Sequence, residues 1–351
     1  MMEKMPRKLT DVQARLLDLV QEEVPLVERP FAALGEKLRL PEADTLQSIR
    51  ELKEGDRPLI RQISAIFDTK ALGYRSSLVA ARVPQQTIEQ AAAVINAHPG
   101  VSHNYQRNHD YNLWYTLALP PDSRLGLEKT IEILHRDSGA IQTRLMPTLK
   151  LFKIGVKLNL GGQDIATRSE GPRFTEADRD TAMAFTVSDA DKRMIRVLQQ
   201  DLPLVERPYD QWAREAGVSV ATFLASAKQY EQQRRMRRFS AVLHHREAGF
   251  GHNGMGVWVV PVGQEEKFGE TAATFSTVSH CYLRPTYEDW PYNLFTMVHA
   301  QSQAKCDQVM ESISKATGIS NYAALYSSKE YKKVRVRYFT PEVEEWEKGH
   351  Q

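Results

Sequence analysis

PLVERP at Pro25–Pro30 returns letter for letter at Pro203–Pro208, and that repeat decides how the rest of the chain is grouped. A six-residue identity within 351 residues points to duplication of an ancestral domain rather than to chance. Further matches follow in the same order. Val101-Ser102-His103 recurs as Val278-Ser279-His280, each trailed by a tyrosine (Tyr105, Tyr282) and an arginine (Arg107, Arg284), and Tyr111-Asn112-Leu113 recurs as Tyr292-Asn293-Leu294. The spacing between matches drifts by only a few residues, as small loop insertions such as PTYEDWP at Pro285–Pro291 would cause.

Each copy begins helically: Val12, Leu16, Leu19 and Val20 share one face, as do Met194, Ile195, Val197 and Leu198. PLVERP interrupts that period. A second helix (Phe31–Leu38; Tyr209–Ala216), a turn (Arg39–Glu42; Gly217–Ser219) and a third helix then give helix-turn-helix spacing. Arg234, Arg235, Arg237 and Arg238 read as the end of the third helix of copy two, where they would neutralise phosphates in a DNA complex. The equivalent helix of copy one, TLQSIRELKEGDRPLI, is mixed in charge, which counts against symmetric operator binding.

The remainder of copy one alternates as a strand (Arg75–Val83), a helix (Gln85–Ala97), two strands (Val101–Asn108, Tyr111–Leu119), a helix (Ser123–Asp137) and a strand (Ile141–Leu149). Copy two repeats the order with Gly254–Val262, Glu265–Phe275, Val278–Arg284, Tyr292–Ala300, Ser302–Thr317 and Ile319–Ser327. This β-α-β-β-α-β order is ferredoxin-like. A last segment, LFKIGVKLNL or KKVRVRYF, is expected to close each unit, with Lys333, Arg335 and Arg337 on one face of a strand and Val334, Val336 and Tyr338 on the other. The fold class is therefore α+β, a tandem duplication of a helix-turn-helix plus ferredoxin-like unit. The domains run 1–66 and 67–160 for copy one, a polar linker at 161–190, and 191–240 and 241–351 for copy two. A sheet covered by helices on one side must bury its other face, so the copies are expected to pack their sheets together as a covalent pseudo-dimer.

Hydrophobic residues at 42% and charged residues at 26% are the proportions of a soluble globular protein. The formal charge of +2 supplies no global field that would draw the chain to nucleic acid or an anionic membrane. Cys281 and Cys306 are too few for a disulfide framework or a zinc site, which fits a reducing cytoplasm. MMEKMPRKLTDVQARLLDLV lacks an uninterrupted apolar core, and VWVVPV at Val257–Val262 is far too short to cross a bilayer, so neither signal peptide nor anchor is expected.

His103, His109 and His280 fall on or beside the second and third strands of their copies, and His244 and His245 just before the first strand of copy two. Around them gather Tyr105, Arg107, Tyr111, Tyr282, Arg284, Trp290 and Tyr292. Aromatic planes, cations and imidazoles in alternation suit a flat, polyanionic ligand; taken singly, each residue reads more simply as core or interface. No HExxH, GxSxG, Walker loop, GxGxxG or CxxC spacing is present, which disfavours metal hydrolysis, phosphoryl transfer and dinucleotide redox chemistry. His98, His135, His252, His299 and His350 have no patterned surroundings and read as structural or exposed.

RNHDYNLWYTLALP (Arg107–Pro120), AVLHHREAGFGHNGMGVWVVP (Ala241–Pro261), VSHCYLRPTYEDWPYNLFTMVH (Val278–His299) and YKKVRVRYF (Tyr331–Phe339) resemble the siroheme decarboxylases, relatives of the Lrp/AsnC regulators. Copy one is similar to the D- or A-type subunit and copy two to the L- or B-type, so the chain resembles a natural fusion of both. The resemblance covers nearly everything outside the linker and implies a winged helix-turn-helix ahead of each ferredoxin-like domain. It further implies a carboxy-lyase that removes the C12 and C18 acetate carboxyls of siroheme to give 12,18-didecarboxysiroheme, on the route to heme d1 or an alternative route to heme. No separate cofactor is implied, since the iron belongs to the substrate. Carbon dioxide leaves electron density on the methylene carbon, and an acid must protonate it; imidazole suits that task. His109 and His245 are the first choices for proton delivery and carboxylate positioning, followed by His103 and His280, and any of the four could instead ligate the substrate iron. Arg107, Arg246, Arg284 and Lys70 are candidates to hold the remaining carboxylates, and Tyr105, Tyr111, Tyr282, Tyr292 and Trp290 to flank the ring. Two other functions stand beside this one: an Lrp/AsnC-type DNA-binding regulator that senses heme, and a heme carrier whose histidines ligate iron while no carboxylate is lost. The implied partner is an iron tetrapyrrole; the resemblance leaves homo-oligomerisation open and disfavours DNA and membrane.

Overall fold

The computed structural model describes residues 9–154, 186–244 and 252–350, which separate into two compact units. Each unit draws on both copies: one takes residues up to 73 together with 186–244, the other 74–154 together with 252–350.

In the first unit, α1 (Asp11–Glu22) and α6 (Asp189–Leu198) each start at a hydroxyl that caps the helix. Thr10 accepts from Gln13 N and Ser188 from Asp191 N, which satisfies backbone donors otherwise left open at a helix start. PLVERP then ends in the proline that opens or caps the next helix, α2 (Pro30–Leu38) in copy one and α7 (Tyr209–Ala216) in copy two. Left-handed turns at Arg39 and Gly217 lead into α3 (Glu42–Lys53) and α8 (Val220–Gln232).

The duplicated hexapeptide meets its own copy. Arg29 pairs with Glu206 at 3.0 Å and Arg207 with Glu28 at 2.6 Å, a reciprocal exchange across a local pseudo-two-fold. After each helix-turn-helix comes a strand, β1 (Ile60–Phe67) or β7 (Met236–Leu243), and these pair antiparallel with Ser64 opposite Ser240. This two-stranded ribbon corrects the sequence reading of the arginine run. Helix α8 stops at Gln232 and Arg234 turns left-handed at φ 59°, while Arg237 and Arg238 lie on β7. Arg237 closes on Asp68 at 2.5 Å, and that carboxylate is 1% exposed.

The second unit holds β2 (Arg75–Arg82), α4 (Ile88–Ala97), β3 (Val101–Arg107), β4 (Leu113–Leu119), α5 (Gly126–Ser138), β5 (Gln142–Met146) and β6 (Lys150–Ile154) from copy one. Copy two supplies β8 (His252–Trp258), α9 (Glu265–Thr274), β9 (Val278–Leu283), β10 (Leu294–Ala300), α10 (Gln303–Thr317), β11 (Tyr322–Lys333) and α11 (Glu342–Lys348). Within each copy the strands follow the ferredoxin-like order, β5-β2-β4-β3 and β11-β8-β10-β9.

The expectation that a last segment closes its own unit is overturned. Strand β6 of copy one pairs with β9 of copy two, and the far half of β11 pairs with β3 of copy one, so the copies exchange edge strands and one nine-stranded sheet results. Strand β11 ends at Lys333, and Val334 to Arg337 lie outside any strand, with Val334 41% exposed. The alternation in VRVR, Val334 to Arg337, therefore does not mark a strand. The backbone of SSKEYKK does the pairing, and its polar side chains gave no apolar period to read.

Helices cover one side of each half. Val79, Ile95, Leu117 and Ile131 build the core under α4 and α5, and Trp258, Phe268, Cys281 and Met310 the core under α9 and α10. Both thiols are buried and free. A third core joins Ala80, Trp114 and Met146 of copy one to Val257, Trp290, Phe295 and Leu325 of copy two, so the second sheet faces bury each other. Beyond Lys333, Tyr338 and Phe339 pack on Tyr74, and α11 lays Trp346 beside His98 at 4.3 Å. Glu347, 2% exposed, accepts from Ser123 Oγ and from Arg124 N at the entry to α5.

Candidate active site

Alternate residues of a strand point to one face, and on β3 and β9 that rule builds the same three-step ladder twice. His103 lies 6.2 Å from Tyr105, and the Arg107 guanidinium 5.7 Å from the Tyr105 ring. In copy two the same steps measure 5.9 Å from His280 to Tyr282 and 4.8 Å from Arg284 to Tyr282. Each histidine is held at Nδ1 by the serine before it, Ser102 at 3.0 Å and Ser279 at 2.7 Å.

The arginines form the deep end of each ladder. Arg107 is 6% exposed and donates Nη1 to Leu325 O at 3.0 Å, while Arg284 is 8% exposed and donates Nη1 to Met146 O, so each reaches a strand of the other copy. Among the described residues Nε of both has no hydrogen-bond partner. Burial lowers each guanidinium to about 10, opposed by the neighbouring tyrosine, so both stay cationic at neutral pH. Among the described residues neither has a carboxylate within 4.0 Å. Two buried cations without counter-ions set a fixed positive potential inside the unit.

The loop between β9 and β10 carries the PTYEDWP insertion, folded back by paired backbone bonds between Tyr287 and Trp290. Trp290 is thereby fully buried, with ring centroids of Tyr292, His109, Trp114 and Tyr111 at 5.0, 5.1, 5.2 and 5.7 Å. His109 Nδ1 accepts from Tyr111 N at 3.0 Å, which leaves the proton of the neutral ring on Nε2. Burial lowers the His109 pKa, opposed by Asp110. Tyr111 donates to Asp289 at 2.6 Å, and Asp289 accepts in turn from Arg144 Nε at 3.1 Å. Burial first, and Asp289 second, push the Tyr111 hydroxyl up to about 12.

The sequence candidates thus fall into three groups. His103, Tyr105 and Arg107 stand together, as do His280, Tyr282 and Arg284; His109, Tyr111, Trp290 and Tyr292 form one aromatic cluster. Lys70 belongs to the other compact unit, in the turn where Gly73 N donates to Lys70 O. His245 and Arg246 lie outside the described residues. Sequence reasoning passed over His299, whose Nε2 is 2.8 Å from Ser279 Oγ. Aligning the copies would have flagged it, since Ala118 stands at the matching place. Among the described residues no group of three or more His, Cys, Asp or Glu is arranged to hold a metal ion, and no helix is long and apolar enough to cross a membrane.

Comparison with known proteins agrees with the duplication. The AsnC-like ligand binding domain matches residues 71–153 and again 247–332, and the siroheme decarboxylase NirDL-like HTH domain matches 13–61 and 191–237. A siroheme decarboxylase of Hydrogenobacter thermophilus is 38% identical over 333 residues, which is 95% of this chain and 96% of that protein. The siroheme decarboxylase beta subunit of Methanosarcina barkeri is 41% identical over 147 residues, covering 42% of this chain and 97% of that subunit. Among solved structures, the siroheme decarboxylase NirDL in co-complex with an iron-uroporphyrin III analogue overlays with a TM-score of 0.76 at 33% identity, covering 96% of this chain and 98% of that one.

Proposed function

We propose a reaction for this chain from one premise: it belongs to the siroheme decarboxylase family. The chain is a carboxy-lyase that removes the C12 and C18 acetate carboxyls of siroheme as carbon dioxide, giving 12,18-didecarboxysiroheme for heme d1 synthesis. The observation that carries this reading is the pair of His–Tyr–Arg ladders, each ending in a buried guanidinium that has no carboxylate of its own among the described residues. A ligand that brings carboxylates supplies what those cations lack.

The reaction needs two opposite environments. Gripping the departing carboxylate would stabilise the ground state and raise the barrier, so the arginines serve best on carboxylates that stay. The acetate that reacts is left beside an imidazole, which protonates the methylene carbon as the carbon–carbon bond opens. His103, His109 and His280 are the described candidates for that proton, and His245 is a candidate from the sequence alone. Tyr105 and Tyr282, each set between an imidazole and a guanidinium, offer a ring face and a hydroxyl to the macrocycle edge. Iron enters as part of the substrate, and no separate cofactor is required. As in the relatives made of alpha and beta subunits, an assembly of both halves is the working form, here joined in one chain.

A regulator that reads DNA is the weaker reading. Helix α3 opens with Glu42 and Asp44, and Arg237 of the basic run is engaged by Asp68. Anaerobic incubation with siroheme and mass analysis of the tetrapyrrole tests the proposal: loss of two carbon dioxide units supports it, and recovery of unchanged siroheme refutes it.

A further inference from the structure

Strand β9 opens with a bulge. Its pairing with β10 steps from Val278 opposite Val298 to His280 opposite Met297, which leaves Ser279 as the extra residue. Copy one has the same bulge, with Val101 opposite Leu117, His103 opposite Thr116 and Ser102 between. In both copies the serine hydroxyl meets Nδ1 of the following histidine. The copies differ one residue further out. His299 on β10 brings Nε2 to 2.8 Å from Ser279 Oγ, whereas the equivalent position on β4 is Ala118. The backbone confirms that equivalence: His299 N donates to Thr277 O, and Ala118 N to Gly100 O. Ser279, 3% exposed, is thus a hydroxyl bridge between two imidazoles; it can also donate to Met297 O at 3.3 Å, a longer contact than the 2.7 Å to His280 Nδ1.

We propose that Ser279 and His299 are positioning residues that share protons with His280, and that copy two thereby carries the imidazole able to act as the acid. This rests on the decarboxylation proposed above. A hydroxyl has one proton and two acceptor sites, so Ser279 can donate to His280 Nδ1 while it accepts from His299 Nε2–H. That arrangement fixes the His280 ring and places its proton on Nε2. As the C–C bond of R–CH2–COO− breaks, carbon dioxide leaves and the electron pair stays on the methylene carbon. Nε2 of His280 gives its proton to that carbon, forming R–CH3. Nδ1 takes the serine proton, and serine takes the Nε2 proton of a doubly protonated His299, which becomes neutral. No imidazolate forms at any point. After product leaves, His280 Nε2 takes one proton from water and the chain runs back, so each carboxylate lost consumes one solvent proton. In copy one Ser102 has no second imidazole in the place of His299, and the sharing stops at one step.

The full chain, with 15N-labelled histidine, separates this from simple packing. In the unliganded protein His280 is expected to show one tautomer, protonated at Nε2, and Ser279→Ala to turn it into a mixture. Steady-state decarboxylation of siroheme by Ser279→Ala and by His299→Ala is expected to fall at least tenfold in kcat with KM within twofold. Ser279→Thr, which keeps the hydroxyl, should recover most of that loss. His299→Gln keeps a donor to Ser279 but cannot release its proton, so it should preserve the tautomer and remain as slow as His299→Ala. Ser102→Ala should cost less than a third of the Ser279→Ala loss. An unchanged tautomer in Ser279→Ala, a fast His299→Gln, or an equal loss from Ser102→Ala would each overturn the proposal. If the wild-type chain turns over and the variants match it, only the proton-sharing chain falls; if wild type leaves siroheme intact, the decarboxylase reading falls and takes this role with it.

Discussion

Replacing Arg284 by methionine should separate stability from function. The buried guanidinium is held at about 10 rather than 12.5, which corresponds to a burial penalty of roughly 3 kcal/mol on the charged form. The folded pKa is the lower of the two, so the penalty is present in full at neutral pH and is relieved only as pH rises through about 10. Against that penalty stand a charge-assisted bond to Met146 O, about 2 kcal/mol, and cation–π contacts with Tyr282 and Phe295, about 1 kcal/mol together. Methionine keeps most of the volume and removes both sides of the balance, so the melting temperature should move by less than about 4 °C. Ligand binding has no such compensation. One buried charge acting on a carboxylate at about 6 Å, with an effective dielectric constant near 20, contributes roughly 3 kcal/mol, or about a hundredfold in affinity. Thermal denaturation by circular dichroism and an anaerobic absorbance titration with iron uroporphyrin read the two quantities separately. A variant that loses more than about 4 kcal/mol of stability while binding as tightly as wild type would refute the reasoning, because the arginine would then be a strand clamp alone.

Trp290→Ala removes the centre of the inter-sheet aromatic cluster and should destabilise the protein by about 3–5 kcal/mol in urea denaturation. Burial first, then the like charges of Lys332 and His350, lower the His98 pKa to about 3, so the unfolded chain takes up this proton first as pH falls. Stability should therefore drop by roughly 2 kcal/mol between pH 6.5 and 5, and denaturation of His98→Gln at both pH values should show most of that slope gone. Arg207→Ala cuts an exposed ion pair with Glu28 and should leave the denaturation midpoint indistinguishable from wild type by the same assay.

The duplicated words in the sequence carried most of the fold. PLVERP and VSHxYxR mark one interface and one ladder per copy, and both recur because the same local physics operates in each half. What the sequence hid was long-range. The strands IRQISAIF and MRRFSAVL find each other across about half the chain, and nothing local to MRRFSAVL distinguishes it from a basic helix end. Strand β11 keeps polar side chains where it pairs by backbone alone, so periodicity misplaced it onto KKVRVR. His103, Tyr105 and Arg107 were readable as a group, since a period of two puts them on one face; His299 was not, because its meaning lies in its difference from Ala118.

The traded edges, β6 onto β9 and β11 onto β3, have a consequence for how the gene could be divided. Cleavage within residues 161–185 should leave the two fragments travelling as one species through a sizing column, because parting them means unzipping both of these pairings and the β1–β7 ribbon as well. Either fragment made alone would present a bare strand margin to its neighbours, an invitation to clump that co-production of its mate removes.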